Sequence, residues 1–396
     1  MKGYLRDNGE KGIRNTLLIV YTVECSHHVA REIASEFKDK DVHVIGFSGC
    51  APNEYANNML KNLCTHANVG AVLFISLGCE NLDTAGISAA VKKSNRPVHT
   101  LVIQETGGTL KTIQEGVKWV DGAYTLIQSV PQVNLDWDEL IVGTICGGSD
   151  ATSGIAANPA IGKSFDILVA KGATTIFEET GELIGCEQIM ADRAADETLA
   201  KELLSTVEKA YVYYKKMGHD SFSAGNATGG LTTIEEKSMG AYCKSGDSVI
   251  SGIIKPTQRA PKPGLYLLDV VPDGEPLFGF PNINDNAEIA ELISCGAHII
   301  LFSTGRGSVV GSAISPVVKI CGNPKTFERL RDDMDINAGK IINGESSLDE
   351  LGQEIVDYIE KVSEGMLTRS EALRHREFVL TYKQFQLDYQ PGCFPA

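Results

Sequence analysis

The chain has 396 residues, 43% of them hydrophobic and 22% charged, an ordinary composition for a soluble globular protein of two or three domains. Its formal net charge of -15 argues against a nucleic acid or an anionic membrane as partner, and no apolar run approaches the ~18 residues of a membrane span. The polar start MKGYLRDNGEKG lacks a signal-peptide core, so the ten cysteines are expected to be reduced thiols in the cytoplasm rather than a disulfide framework.

Strands and helices alternate through the first region. The apolar run TLLIVYTVE leads into Cys25 and is followed by the helical pattern SHHVAREIASEF. VHVIGFSG leads into Cys50 and the helix NEYANNMLKNLC, and AVLFISLG leads into Cys79 and the helix LDTAGISAAVKKS. VHTLVIQE is a fourth strand, TLKTIQEGVKWV a fourth helix, and LIVGTI runs into Cys146. Such alternation predicts a parallel, doubly wound sheet. A second α/β region follows, with FDILVAKG helical, ATTIFEE a strand, a long helix near 190–217, the strands GLYLLDVV and HIILFST, the turn-rich FGFPNINDN and the helix AEIAELISCG. The expected organisation is a Rossmann-like α/β domain over 1–146, a second α/β catalytic domain over 147–340, and a helical tail with an irregular end over 341–396. The fold class is α/β: two adjoining doubly wound, mainly parallel domains with the active-site cleft between them.

Ligands of open α/β sheets bind at the carboxyl ends of the strands, so four cysteines at such ends are candidates for convergence. Thiolates favour zinc, iron and iron–sulfur clusters. Cys25, Cys50, Cys79 and Cys146 are therefore the candidate metal thiols, and either a cluster or a single Fe²⁺ with mixed ligands is allowed. The other six, Cys64, Cys186, Cys243, Cys295, Cys321 and Cys393, read as small core residues. Directly after Cys146, Gly147, Gly148 and Ser149 can cradle an anion with backbone N–H groups, and Asp150 adds a carboxylate, although a tight turn with an Asp cap has the same look. Glu178, Glu179 and Glu182 lie just past a strand, either as metal or proton-transfer groups or as a solvated helix start. The string GNATGGLTTIEEKSMGAYCKSG joins a glycine-rich loop carrying Asn226 to a helix carrying Glu236 and Lys237; a lysine in a dry cleft can lose its proton and act as a base. Arg306, two residues past Thr304 and between two glycines, suits bidentate capture of a carboxylate or sulfonate. GRGSVVG is a poor dinucleotide loop, because Pro316 comes too soon for the long helix and CSHHVA after the first strand has no glycine. His27 and His28, beside Cys25, are candidate ligands or proton donors, and His66 is a weaker one.

Taken together, GYLRDNGEKGIRN, LGCE, QETGGT, CGGSDATSGIAANPA, EETGELIGCE, GNATGGLTTIEEKSMGA, FSTGRGS and DMDINAG resemble the altronate/galactarate dehydratase family in its large catalytic portion, in order and over nearly the whole chain. The resemblance implies an iron-dependent lyase acting on a small anionic 2-hydroxy carboxylate. Two departures resemble the sulfolactate sulfo-lyase branch instead. The chain opens at the catalytic portion without the small N-terminal domain, and it carries LDVVPDGEPLFGFPNINDNAEI where the sugar-acid enzymes tend to read DTPG. In that branch the small domain is a separate alpha subunit, so a small partner subunit and an oligomer are expected.

Both reactions share one plan. A base takes the C2 proton, a group departs from C3, and the enol becomes a 2-oxo acid, with a metal on the carboxylate and 2-hydroxyl stabilising the charge. Lys237 is the expected base, with His27 or His28 behind it and Glu236 beside it. Arg306, Asn226, Thr304 and the backbone of Gly147, Gly148 and Ser149 are expected to bind substrate. Glu80, Asp150 and Cys79 are the leading metal ligands, joined by Cys25, Cys50 and Cys146 if a cluster forms. The alternative from another class is a non-catalytic scaffold subunit. Lys255, Arg259 and Lys319 are possible further cations.

Overall fold

The computed structural model describes residues 1–218, 224–274, 276–278, 284–381 and 383–385. The first region builds a four-stranded sheet from β1 (Thr16–Tyr21), β2 (Val42–Gly46), β3 (Val69–Ser76) and β4 (Val98–Val102), in the order β2-β1-β3-β4 with every pairing parallel. Its helices are α1 (Glu24–Ser35), α2 (Glu54–Cys64), α3 (Thr84–Lys93) and α4 (Thr109–Ile127). β1 is apolar nearly throughout because both faces are covered. Leu17 and Ile19 face one core with Val29, Ala30 and Ile33 of α1 and Val120 and Ala123 of α4. Leu18 and Val20 face the other, with Met59, Leu60 and Leu63 of α2. Helix starts are set by local chemistry: Asn53 caps α2 through Ala56 N (2.8 Å), and Asp83 caps α3 through Gly86 N (2.9 Å).

The second region builds a seven-stranded sheet from β5 (Ile141–Cys146), β6 (Thr174–Phe177), β7 (Ile250–Ile254), β8 (Gly264–Leu268), β9 (Ile299–Thr304), β10 (Val317–Cys321) and β11 (Ile336–Asn337). The order is β7-β8-β6-β5-β9-β10-β11, again all parallel. Flanking helices are α5 (Asn158–Ala170), α6 (Glu197–Met217), α7 (Ile234–Tyr242), α8 (Asp285–Ser294) and α9 (Leu348–Ser363). α5 and α9 cover one face, packing Ile161, Phe165, Leu351, Ile355 and Ile359 over Val142, Leu301 and Val318. α8 covers the other, and its Ile289, Leu292 and Ile293 share one core with α2 and the first sheet. A separate three-stranded antiparallel sheet is formed by Lys2–Leu5, Lys11–Gly12 and Gln132–Asn134. Among the described residues no helix is long and apolar enough to cross a membrane.

The α/β class and the doubly wound parallel sheets are as expected; several details differ. The strand ending at Cys146, read with the first domain, is the central strand of the second sheet, paired with both β6 and β9. α9 is not part of a tail: its apolar stripe is buried against α5. The long helix begins at Glu197 because Asp196 caps it through Leu199 N (2.9 Å), and Glu187–Ala191 is a separate short helix. Gln104 and Glu105 lie in a helical turn, Ile103–Thr106, rather than at the end of a strand. Of the residues read as core thiols, Cys64, Cys186, Cys295 and Cys321 are buried and Cys243 is half-buried. The middle of FGFPNINDN, the end YQPGCFPA and Cys393 lie outside the described residues.

Candidate active site

In the second sheet β5 and β9 are neighbours whose chain connections leave in opposite directions, β5 through α5 to β6 and β9 onward to β10. Such a reversal opens a crevice at the strands' carboxyl ends. The two glycine-rich strings meet there. Gly148 O accepts from Arg306 N (2.8 Å), Gly305 N (3.3 Å) and Thr304 Oγ1 (3.3 Å), and Gly147 N donates to Ser303 O (3.0 Å). Glycine is required twice over: Gly148 has φ +54°, and a Cβ at Gly147 would sit 2.3 Å from Asp285 Oδ2. Asp150 is buried and clamps the junction, accepting from Thr152 N (2.8 Å), Thr152 Oγ1 (2.5 Å) and Asn323 Nδ2 (3.1 Å). Its carboxylate is thereby committed to the loops. Thr304 is likewise structural, taking Gly307 N (2.9 Å) on its hydroxyl. The Arg306 guanidinium is exposed and reaches Gly225 O, next to buried Asn226.

Beside this crevice lies a buried donor cluster. The Sγ of Cys146 is 3.3 Å from Glu179 Oε1 and 3.2 Å from Glu182 Oε2, while Cys146 N donates to Glu179 Oε2 (3.0 Å) and Ser149 Oγ approaches the sulfur at 3.7 Å. Among the described residues, one oxygen from each glutamate and this sulfur lie within 4.8 Å of one another. Glu179 gains that position from a left-handed backbone, φ +78°, which residues with side chains rarely adopt and which is typical of strained functional sites. Two buried lysines balance the acids: Lys237 pairs with Glu182 and Lys244 with Glu179. Burial holds Lys237 below the usual lysine range despite the attraction of Cys146 and Glu179. For Lys244 the charges of Cys146 and Glu179 outweigh burial and raise it. Burial raises the Cys146 thiol, with the Glu179 charge adding to it.

Acids outnumber bases in this pocket. Glu178 is buried, both its carboxylate oxygens lack a hydrogen-bond partner among the described residues, and burial with the charges of Glu291 and Glu179 raises it well above the carboxylate range. Glu288 is raised in the same way by burial and Glu178. Asp285, at the start of α8, is pushed up to about 6 by burial and the Glu179 charge. One thiolate, two carboxylates and a surplus of buried acid fit a borderline divalent ion. A cavity of about 290 Å³ adjoins the cluster, lined by Ser149, Asp150, Asn158, Leu231, Glu236 and Lys237 among others.

The structure thus brings together Cys146, Gly147, Gly148, Ser149, Asp150, Glu179, Glu182, Lys237, Thr304 and Arg306, with Asn226 beside the carbonyl that Arg306 reaches. It does not bring the remaining candidates into that group. Glu236 lines the adjoining cavity but is exposed and caps its own helix, accepting from Thr232 N and Oγ1, both at 2.7 Å. His27 and His28 are partly exposed on α1 and face Glu24 (3.1 Å) and Glu32 (3.9 Å). Cys25, Cys50 and Cys79 are exposed at the edge of the first sheet. Glu80 turns back on its own loop, accepting from Ser76 Oγ and Thr22 Oγ1 (both 2.5 Å) and from Gly78 N (2.8 Å). Partial burial works against its ionisation, but these hydrogen bonds prevail and bring it down to about 2. His66 is buried against His298, with ring centroids 5.9 Å apart. Lys255 pairs with Asp269 (2.6 Å), Arg259 with Glu10 (3.4 Å), and Lys319 is buried beside His375 (3.2 Å). Sequence reasoning missed Lys244, Asp285 and Glu288. Lys244 stood in the same glycine-rich string as Lys237, and the two acids lie in the first turn of α8, but nothing in the chain ties them to Cys146.

A family model for the C-terminal domain of D-galactarate/altronate dehydratases matches residues 137–386, and one for the second domain of D-galactarate dehydratase/altronate hydrolase matches 3–128. The chain is 32% identical over 394 residues to altronate dehydratase of Escherichia coli (strain K12), covering 95% of this chain and 76% of the relative. It is 30% identical over 405 residues to the beta subunit of (2R)-sulfolactate sulfo-lyase of Chromohalobacter salexigens, covering 96% of each. It is 31% identical over 317 residues to the L-threo-forming galactarate dehydratase of Escherichia coli (strain K12), covering 77% of this chain and 58% of the relative.

Proposed function

The chain belongs to the D-galactarate/altronate dehydratase family, and from that premise we propose that it is the large subunit of a metal-assisted lyase that cleaves a 2-hydroxy carboxylate by β-elimination, with sulfolactate as substrate and pyruvate and sulfite as products. The observation that carries the chemistry is the Cys146, Glu179 and Glu182 donor set, flanked by Lys237 and Lys244 and set beside the switch-point glycine loops. The match to a sulfo-lyase beta subunit over 96% of both chains supports the choice of substrate and a small alpha-type partner.

Cys146, Glu179 and Glu182 would hold the ion, Fe²⁺ in this proposal. Bound there, it supplies Lewis-acid stabilisation of the negative charge that grows on the substrate carboxylate and 2-hydroxyl. The rest falls to the chain. N–H groups of Gly147 to Ser149 and the Arg306 guanidinium hold the anionic ends. Lys237 takes the C2 proton onto Nζ. The C2 electron pair forms the C2–C3 double bond, and the C3–S bond breaks with its pair leaving on sulfite. The enol then takes a proton at C3 and becomes the 2-oxo acid. Lys244 stays cationic and fixes Glu179.

One observation favours a second reading, dehydration of an altronate-type sugar acid. Hydroxide, unlike sulfite, needs a proton as it leaves, and Asp285 against Gly147 is an acid held up to about 6. The deciding assay is anaerobic: the chain with Fe²⁺, with and without a candidate small subunit, offered sulfolactate, altronate and galactarate. Pyruvate with equimolar sulfite supports the first reading. A 3-deoxy-2-oxo sugar acid without sulfite selects the second. Full turnover by the small subunit alone would make this chain a scaffold and end both.

A further inference from the structure

We infer that Cys25, Cys50 and Cys79 form a second metal centre, separate from Cys146: a three-thiolate site for an iron–sulfur cluster at the carboxyl edge of the first sheet. The inference does not depend on the proposed reaction.

It rests first on register. Tyr21 of β1 is paired with Gly46 of β2 and with Ile75 of β3, so these three residues stand at one level across three adjacent strands. Each cysteine lies four residues beyond its strand's residue at that level. Three cysteines at the same offset beyond three neighbouring parallel strands emerge at one edge of the sheet, whatever their separation in sequence. On β4 the equivalent place, four beyond Leu101, is Glu105, so the thiol row stops at three.

The loops bearing the thiols are tied to each other. Glu24 N, beside Cys25, donates to Ser48 O (3.3 Å), and Asn81 N, two residues past Cys79, donates to the carbonyl of Cys50 (3.0 Å). Glu80 fastens the Cys79 turn to the end of β1 through Thr22 (2.5 Å), while also accepting from Cys79 N (3.1 Å). That network gives the Glu80 carboxylate a positioning role. Cys25 sits in the first turn of α1, whose Val23 cap offers no side-chain acceptor.

Core packing does not account for these residues. Unpaired cysteine is among the most buried residue types, as Cys64, Cys186, Cys295 and Cys321 are here, yet all three are exposed. The all-thiolate donor set bears on the occupant. A single tetrahedral ion with bonds of about 2.3 Å to sulfur draws its thiolates within roughly 4 Å of one another. Among the described residues the three do not gather within even 4.8 Å, whereas Cys146 does with its glutamates. A multi-iron cluster spreads its thiolates more widely, and three cysteines would leave one iron without a protein ligand.

The test is anaerobic reconstitution of the full chain with Fe²⁺ and sulfide, read by iron and acid-labile sulfide content, visible charge-transfer absorbance and electron paramagnetic resonance after reduction. Wild type is expected to take up sulfide together with iron, the iron exceeding the sulfide by the single ion proposed at Cys146. Cys25→Ser, Cys50→Ser and Cys79→Ser are each expected to lose the absorbance, and Cys146→Ser to keep it. Thiol alkylation followed by mass mapping covers the case of a variant that folds poorly. In loaded wild-type protein, Cys25, Cys50 and Cys79 should be protected together relative to the unloaded chain. Iron bound without sulfide, absorbance surviving the three substitutions, absorbance lost in Cys146→Ser, or three thiols alkylated equally with and without loading would each overturn the assignment. Because no readout is turnover, failure here leaves the lyase reading standing, and failure of that reading leaves this site standing.

Discussion

At the scale of single residues, function turns on which charges are buried and what faces them. Lys237 and Lys244 are seven residues apart and both buried, yet they part in behaviour. Lys244 is held by the combined charge of Cys146 and Glu179, while burial dominates at Lys237. Lys237 is therefore the better proton acceptor and Lys244 the better fixed cation. Lys237→Arg keeps a cation against Glu182 but offers no group that can give up its proton. We expect kcat to fall about 10²–10⁴-fold in steady-state assays, with a thermal midpoint near wild type. An Arg variant with full turnover would remove Lys237 as base. Glu80 illustrates a different role. As ligand to its own turn it is expected to matter for rigidity: Glu80→Gln should cost on the order of 1 kcal/mol in urea unfolding. The wild-type contribution is present above the ordinary carboxylate range and fades as pH falls toward about 2.

At the scale of elements, the decisive one is β5. Its apolar run marks it as a strand, but its position in the centre of the second sheet is what sets Cys146 opposite the β6 loop carrying Glu179 and Glu182. α9 is the other element whose role only packing reveals. Its capping box, with Ser347 Oγ accepting from Glu350 N (3.2 Å) and Glu350 Oε2 accepting from Ser347 N (2.8 Å), was legible as the string SLDE. Its docking against α5, the helix following the Gly147–Ser149 loop, was not. Ile355 is fully buried in that contact, so Ile355→Ala should destabilise the chain by about 2–5 kcal/mol in chemical denaturation. A cost below about 0.5 kcal/mol, the range of surface substitutions, would mean that α9 is the loose tail its sequence position suggested.

At the scale of the whole molecule, one core joins the two sheets through α2 and α8, and His43, His66 and His298 are buried. Burial holds His43 down to about 3, with Arg376 adding to it, and His298 down to about 4, with Arg259 adding; His66 lies well below its usual range from burial, Arg259 and His298. An unfolded histidine titrates near 6.5, so between that value and the folded one the unfolded chain binds more protons and stability falls as pH falls, by about 1.4 kcal/mol per pH unit per site. The raised carboxyls of Glu178 and Glu288 act with opposite sign, so the effect is read as a difference: His43→Gln should show a shallower loss of stability than wild type between about pH 6 and pH 4.5 in matched urea melts. Parallel curves would show that His43 is protonated in the native state. Periodicity and turn chemistry by themselves determined the strands, most helices, the doubly wound class and the reactive strings, because each is written in residues a few positions apart. Which string meets which was decided only by tertiary structure. Strand order sends Cys146 to one sheet and Cys25, Cys50 and Cys79 to another, because hydrogen-bonded neighbours in a parallel sheet need not be neighbours in the chain.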